Sequence, residues 1–290
     1  MYSYLGVVFA LIALFGWGFG DFFTQKLTRK IGGWQTLFFI GTAGAILFLP
    51  FVINDQAKLA VDNWSLLAIL GALVIINAPL GLEALRRGKI SVVEPVFGLE
   101  LPLTVIFSII LARERLMNYE AVLIILIFLG ILLVVTANLK GWRTKIFFEA
   151  GVLLAGLNVA GLALNNVLIG LSSQQISPIT TVWFMHVVIA AASALVIIFQ
   201  GNFRTVAVNF KKNLWLICSL GLINNIAWLA YAYATIYVKI SIAATISESY
   251  IILATLLGIF INREKLKPHQ IIGIIVAILG VLILSALTSK

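Results

Sequence analysis

Residues 88–135 read GKISVVEPVFGLELPLTVIFSIILARERLMNYEAVLIILIFLGILLVV. Two long apolar runs are joined by the charged turn Arg113-Glu114-Arg115-Leu116, and two carboxylates, Glu94 and Glu100, stand where hydrocarbon is expected. Shifted by 150 residues, much of the stretch returns without a gap. Lys89-Ile90-Ser91 becomes Lys239-Ile240-Ser241, the turn becomes Arg263-Glu264-Lys265-Leu266, and Leu129-Gly130 becomes Leu279-Gly280. The chain carries an internal duplication.

The composition around this stretch fixes the class. Of 290 residues, 62% are hydrophobic and 11% charged, with a mean hydropathy of +1.10. Soluble domains carry about 25% charged residues, so this chain lacks the polar surface a globule in water needs. Apolar runs punctuated by polar residues give ten segments, at 3–23, 34–53, 64–85, 91–112, 118–138, 149–171, 177–200, 213–236, 240–261 and 269–287. Each is close to the ~20 residues that cross a bilayer as a helix. The expected fold is all-α and integral to the membrane, with ten transmembrane helices. The first segment has no charged leader and no small-residue cleavage site, so it is expected to be kept as a helix.

The 150-residue shift maps five segments onto five, and an odd number of crossings turns the second copy upside down in the bilayer. The expected architecture is therefore two inverted-topology five-helix repeats, residues 1–140 and 141–290. Many secondary transporters are built this way, with a substrate site near the midplane between the repeats.

The net charge of +9 follows the same logic. Fifteen of the twenty Lys and Arg residues fall in the connections after the first, third, fifth, seventh and ninth segments. Such a bias marks the cytoplasmic side and places both termini outside. It is no reason to expect nucleic acid as a partner. Cys218 is the one cysteine, which excludes an internal disulfide and a thiolate metal site. The sequence has no phosphate-binding Gly-x4-Gly-Lys-Ser/Thr, no His-Glu-x-x-His and no Gly-x-Ser-x-Gly. Neither a cofactor nor an enzyme activity is expected.

The stretch GKISVVEPVFGLELPLTVIFSIILARERL, followed by a helix ending LGILLV, resembles the EamA domain of the drug/metabolite transporter superfamily. VKISIAATISESYIILATLLGIFINREKL followed by LGVLIL resembles a second copy, with Thr245 where the first has Pro95. The resemblance implies a ten-helix carrier of amino acids, nucleosides, sugars or similar small metabolites in a prokaryotic plasma membrane. It also implies cytoplasmic termini, against the charge count.

Polar residues within apolar helices are the candidate site, because burying them in hydrocarbon is costly. Glu100, Thr104 and Ser108 make one stripe at helical spacing. Ser241, Thr245, Glu248 and Thr255 make another. Glu100 and Glu248 are the expected substrate or coupling carboxylates, suited to a cationic amine or a proton. Asn158 and Asn165 share a face of the sixth segment, with Asn166 adjoining. Asn224, Trp228 and Tyr231 share a face of the eighth, and Trp17, Asp21 and Thr24 one of the first. Asn158, Asn165, Asn224, Trp228 and Trp17 are the expected wall residues. Glu94, near a helix entrance, Glu83, four residues before Arg87, and the Arg113-Glu114-Arg115 turn are assigned to structure. Asn77 is placed to satisfy backbone freed by Pro79, and His186 to make a polar contact.

These readings predict a secondary transporter of a small metabolite working by alternating access. The alternatives are a non-transporting scaffold or scramblase and a membrane-embedded lipid transferase.

Overall fold

The computed structural model describes residues 2–53, 64–87, 96–136, 150–253, 256 and 267–289, and within them every regular element is a helix. In chain order these are α1 (Ser3–Ile31), α2 (Gly33–Ile53), α3 (Trp64–Arg87), α4 (Glu100–Leu111), α5 (Asn118–Val135), α6 (Ala150–Gln175), α7 (Pro178–Phe199), α8 (Phe203–Lys212), α9 (Leu214–Tyr237), α10 (Ile240–Glu248) and α11 (Pro268–Thr288). Eight of them are long and apolar enough to cross a membrane. The shorter α4 and α10 stand where the fourth and ninth segments were expected. Glu94, Thr255 and the second charged turn, 263–266, lie outside the described residues, as do the side chains of Asp21 and Arg87.

Two features depart from the sequence reading. The first segment was expected to end at residue 23, yet α1 continues to Ile31. An apolar run shows where the chain meets hydrocarbon, whereas helical hydrogen bonding continues through Thr24 to Lys30 until Gly32 breaks it at φ 84°. The connection after α7 was read as a loop and instead holds α8. There Val206 is buried and Phe210 packs on Phe39 of α2, while Arg204, Lys211 and Lys212 are exposed. Ten residues with this little apolar content are invisible to a search for spans. Gln35, at the start of α2, fixes α8 by donating to Thr205 (2.7 Å) and accepting from Asn209 (2.7 Å).

The long helices pair side by side: α1 with α9, α2 with α7, α3 with α6, and α5 with α11. Glycines set the approach, and their neighbours give the direction. Along α1, Gly6, Gly16 and Gly20 rest on Val238, Ala227 and Ile223, so α1 and α9 run antiparallel. Gly81 meets Asn158 and Gly161 meets Asn77, which makes α3 and α6 antiparallel as well. In α5 and α11 the match is closer. Gly130 rests on Ala277, and Gly280 rests on Ile127. Each residue of the second contact stands 150 positions from one of the first. The opening turns repeat too: the Met117 N–H donates to Glu120 (2.7 Å), and the Lys267 N–H to Gln270 (3.0 Å).

Of the two shorter helices, α4 packs on α6 and α10, and α10 packs on α1. All nine residues of α10 are buried, which explains why its sequence is apolar or small on every side except at Glu248. The outer faces present Ile46, Phe51, Ile76, Ile110, Leu157 and Leu282 to the surroundings. Such a surface is stable only against lipid.

Candidate functional site

The two buried carboxylates meet at one amide. Asn166, on α6, donates from Nδ2 to Oε1 of Glu100 on α4 (2.9 Å) and to Oε1 of Glu248 on α10 (3.1 Å). An amide nitrogen carries two N–H groups, so one side chain serves both acids and holds their Oε1 atoms within about 6 Å. Because Nδ2 faces the carboxylates, Oδ1 is turned from them, and among the described residues it makes no hydrogen bond. Glu100 is 8% exposed and Glu248 4%. The expected stripe along α4 is buried as a unit, Thr104 and Ser108 included. Ser108 donates to the Val105 carbonyl, while the Thr104 hydroxyl is without a partner among the described residues.

Aromatic rings adjoin this centre. Tyr231 of α9 is fully buried and its hydroxyl donates to the Asn166 carbonyl (3.3 Å). Trp17 of α1 lies 5.5 Å from the Tyr231 ring, 4.9 Å from Trp228 and 6.1 Å from Tyr250. Its indole N–H is buried and has no acceptor among the described residues. Trp17 and Trp228 thus stand together, next to the ring whose hydroxyl reaches Asn166.

The other candidates take other places. Asn158 is buried, but it donates to the Asn77 carbonyl of α3 (2.8 Å), so it clasps α3 to α6. This also gives Asn77 a different partner from the one expected. Asn165 is buried with its carbonyl oxygen unpartnered among the described residues. Asn224 is half-buried on the Trp228 face of α9, about 10 Å along the axis from Tyr231. His186 is buried against Phe48, with Nδ1 at 2.7 Å from the Val182 carbonyl.

Sequence reading left three contributors without the contacts the structure gives them. Asn166 was noticed only as a neighbour of Asn165, although the doublet was the available signal. Asn225 holds α9 to α2 through the Ile40 carbonyl (3.1 Å), directly over Gly44, where an added Cβ would collide with its Oδ1. Glu114 accepts from the N–H groups of Ile240 and Ser241 and from the Ser241 hydroxyl (2.6 Å). It therefore caps α10, the helix that carries Glu248. Beside it, Lys239 pairs with Glu120 at 2.6 Å.

A cleft of about 560 Å³ opens where α6 gives way to α7, lined by Ser173, Gln174, Ser177, Ile179, Tyr233 and Ile236. Ser173 is buried with its hydroxyl unpartnered among the described residues, and it lies seven residues beyond Asn166. Ser173 on the cleft wall is thus about 10 Å along α6 from Asn166.

A search against known families matches the EamA-like transporter family over residues 4–136 and again over 149–286. The chain belongs to the EamA-like transporter family. It is an integral, multi-pass membrane protein of the drug/metabolite transporter superfamily, and the family assignment implies a transporter rather than an enzyme. It is 32% identical over 130 residues to the Uncharacterized protein MJ1333.1 of Methanocaldococcus jannaschii, a match covering 44% of this chain and 93% of that protein. A protein crystal structure superposes with a TM-score of 0.73 over 98% of this chain and 99% of its own, at 15% identity. That likeness concerns the fold alone.

Proposed function

We propose that this member of the EamA-like family is a secondary transporter that moves a small metabolite by alternating access between two inverted five-helix halves, residues 1–140 and 141–290. The observation that carries the reading is the Asn166 bridge. Glu100 comes from the first half, Asn166 and Glu248 from the second, so the buried acids sit on the seam that rocking halves would open. Two ionised carboxylates about 6 Å apart repel by about 3 kcal/mol at an effective dielectric near 20. One positive charge between them, a proton or a substrate cation, relieves that repulsion, and this is what a coupling site must offer.

Three further observations favour the inverted halves. The helix pairs α1·α9 and α3·α6 exchange under the 150-residue shift, while α5·α11 maps onto itself through antiparallel contacts. The family matches twice, and the archaeal relative is about one half in length. Trp17 and Trp228 form a wall next to Tyr231, with Asn165 and Asn224 as outlying wall positions, and the cleft at Ser173 is the approach from one end. The chain resides in a prokaryotic plasma membrane with both termini outside, by its charge bias.

The test is counterflow in proteoliposomes with candidate metabolites. Glu100→Gln and Glu248→Gln each abolish or strongly reduce transport while the purified protein keeps its thermal transition. Full transport in both variants would remove these carboxylates from the mechanism.

A further inference from the structure

The end of the bundle where α8 lies carries charge of one sign. Arg204, Lys211 and Lys212 of α8 and Lys26, Arg29 and Lys30 of α1 are all exposed. The two helices meet α9 there in the apolar cluster of Leu27, Val206, Leu216 and Ile217. The helices α2, α7, α8 and α9 contain no Asp or Glu, and α1 contains only Asp21. Among the described residues none of the six cations pairs with a carboxylate. On α8, Arg204, Val208 and Lys211 stand at i, i+4 and i+7 and form one stripe, with Lys212 beside Val208. The stripe lies about 150° around the helix from the buried Val206, so it faces away from the bundle. The hydrogen bonds of Gln35 to Thr205 and Asn209 hold it in that direction.

The chain on either side of this stripe is strongly apolar and exposed. Phe199, the last residue of α7, is 86% exposed, and Trp215, in the first turn of α9, is 83% exposed. Leu195 and Ile198 continue the same outer face down α7. Basic helices flanked by aromatic residues lie in the headgroup layer, and aromatic belts mark that depth. A phospholipid meets both features at once, its acyl chains along the outer faces of α7 and α9 and its phosphate level with the cations. A soluble acidic partner would match the charge and leave Phe199 and Trp215 uncovered.

We infer that the outer face of α8 binds the headgroup of an anionic phospholipid, with Arg204, Lys211 and Lys212 on its phosphate and Phe199 and Trp215 against its acyl chains. The cations of α1 add to the same positive field. The site involves none of the residues assigned to transport, so it stands or falls apart from that reading.

The experiment titrates the purified full chain in detergent and counts bound lipid by native mass spectrometry. The probes are dioleoyl phosphatidylglycerol, dioleoyl phosphatidylcholine, which has the same chains and no net charge, and inorganic phosphate, which has no chains. Phosphatidylglycerol is expected to bind at least about tenfold more tightly than phosphatidylcholine, and inorganic phosphate is expected not to displace it. Arg204→Gln, Lys211→Gln and Lys212→Gln each weaken phosphatidylglycerol binding about fivefold, the share of one cation at an anionic lipid. The triple variant binds the two lipids alike. Arg115→Gln, exposed in the turn that meets the chain beyond the far end of α9, keeps the preference. A single melting transition shows that each variant is folded, and the three single variants carry the test if the triple one does not fold. Equal binding of the two lipids by the unsubstituted chain, or a preference that survives the substitutions, would overturn the site. Displacement by inorganic phosphate at the lipid's own concentration would overturn the leaflet as its source. A dimer that the substitutions dissolve and phosphatidylglycerol leaves intact would give the face to a second copy of the chain instead.

Discussion

Asn166 and Asn158 are the same residue type on the same helix, yet they face different neighbours. Along α6, positions 158 and 165 align, whereas 166 lies about 80° around from 158 at 100° per residue. One face meets α3, and the other meets α4 and α10. The wheel could be drawn from sequence, but which face carried the site depended on neighbours that no local pattern names. The carboxylates themselves were legible, because a charge in an apolar run announces its own cost. The contrast makes a prediction. Asn158→Ala loses two neutral hydrogen bonds to Asn77 across the α3–α6 seam and costs roughly 1–3 kcal/mol of stability, without a comparable loss of substrate affinity. Asn166→Ala removes the donor both acids share, and transport falls well beyond tenfold at a stability cost of roughly 2–4 kcal/mol. Denaturant unfolding in detergent and proteoliposome counterflow, run on both variants, check the two halves of this claim. Equal transport in the two would place Asn166 in the framework.

At the level of helices, the eight long spans were readable because hydrophobicity and length suffice to define them. What holds their ends was not. Rules for capping read the residues next to a helix start, but α10 is capped by Glu114, 126 residues away from Ile240 in sequence. The charged turn was assigned to structure, and its Glu114 reaches the first N–H groups of α10, while Glu120 of α5 pairs with Lys239 just before that helix. Arg113 adopts φ 54°, the left-handed region, as the turn swings Glu114 toward α10. A carboxylate at a helix N-terminus also complements the helix dipole. Glu114→Ala therefore frees the start of the helix that carries Glu248. Loss of such a cap costs about 1–2 kcal/mol, and hydrogen exchange at residues 239–243 accelerates while α11 is unaffected. Unchanged exchange at Ile240 and Ser241 would mean the cap is not what orders this end.

Across the whole molecule the duplication is stricter in the frame than in the site. The shift of 150 carries Gly130 to Gly280 and the Met117–Glu120 turn to Lys267–Gln270, and these framework contacts recur. The same shift carries Glu100 to Tyr250, and Glu248 back to Gly98. The acids that meet at Asn166 are therefore not images of each other, and each half contributes different chemistry at the seam. Copying preserves what packing needs, because helix crossings with no room for a Cβ tolerate few changes. In the proposed transport one ligand is met from both sides, and it has no such symmetry. Inversion then becomes a question about two equivalent residues. In a Cys218→Ser background, Met117→Cys and Lys267→Cys place one thiol before α5 and one before α11. If the halves are inverted, a membrane-impermeant maleimide added to intact cells labels one of the two, and the other only after permeabilisation. The loop charges further predict that position 117 is the one labelled outside. The reverse pattern would keep the inversion and overturn the orientation, whereas labelling of both from one side would mean the copies run parallel, and with them the alternating seam at Asn166 would fall.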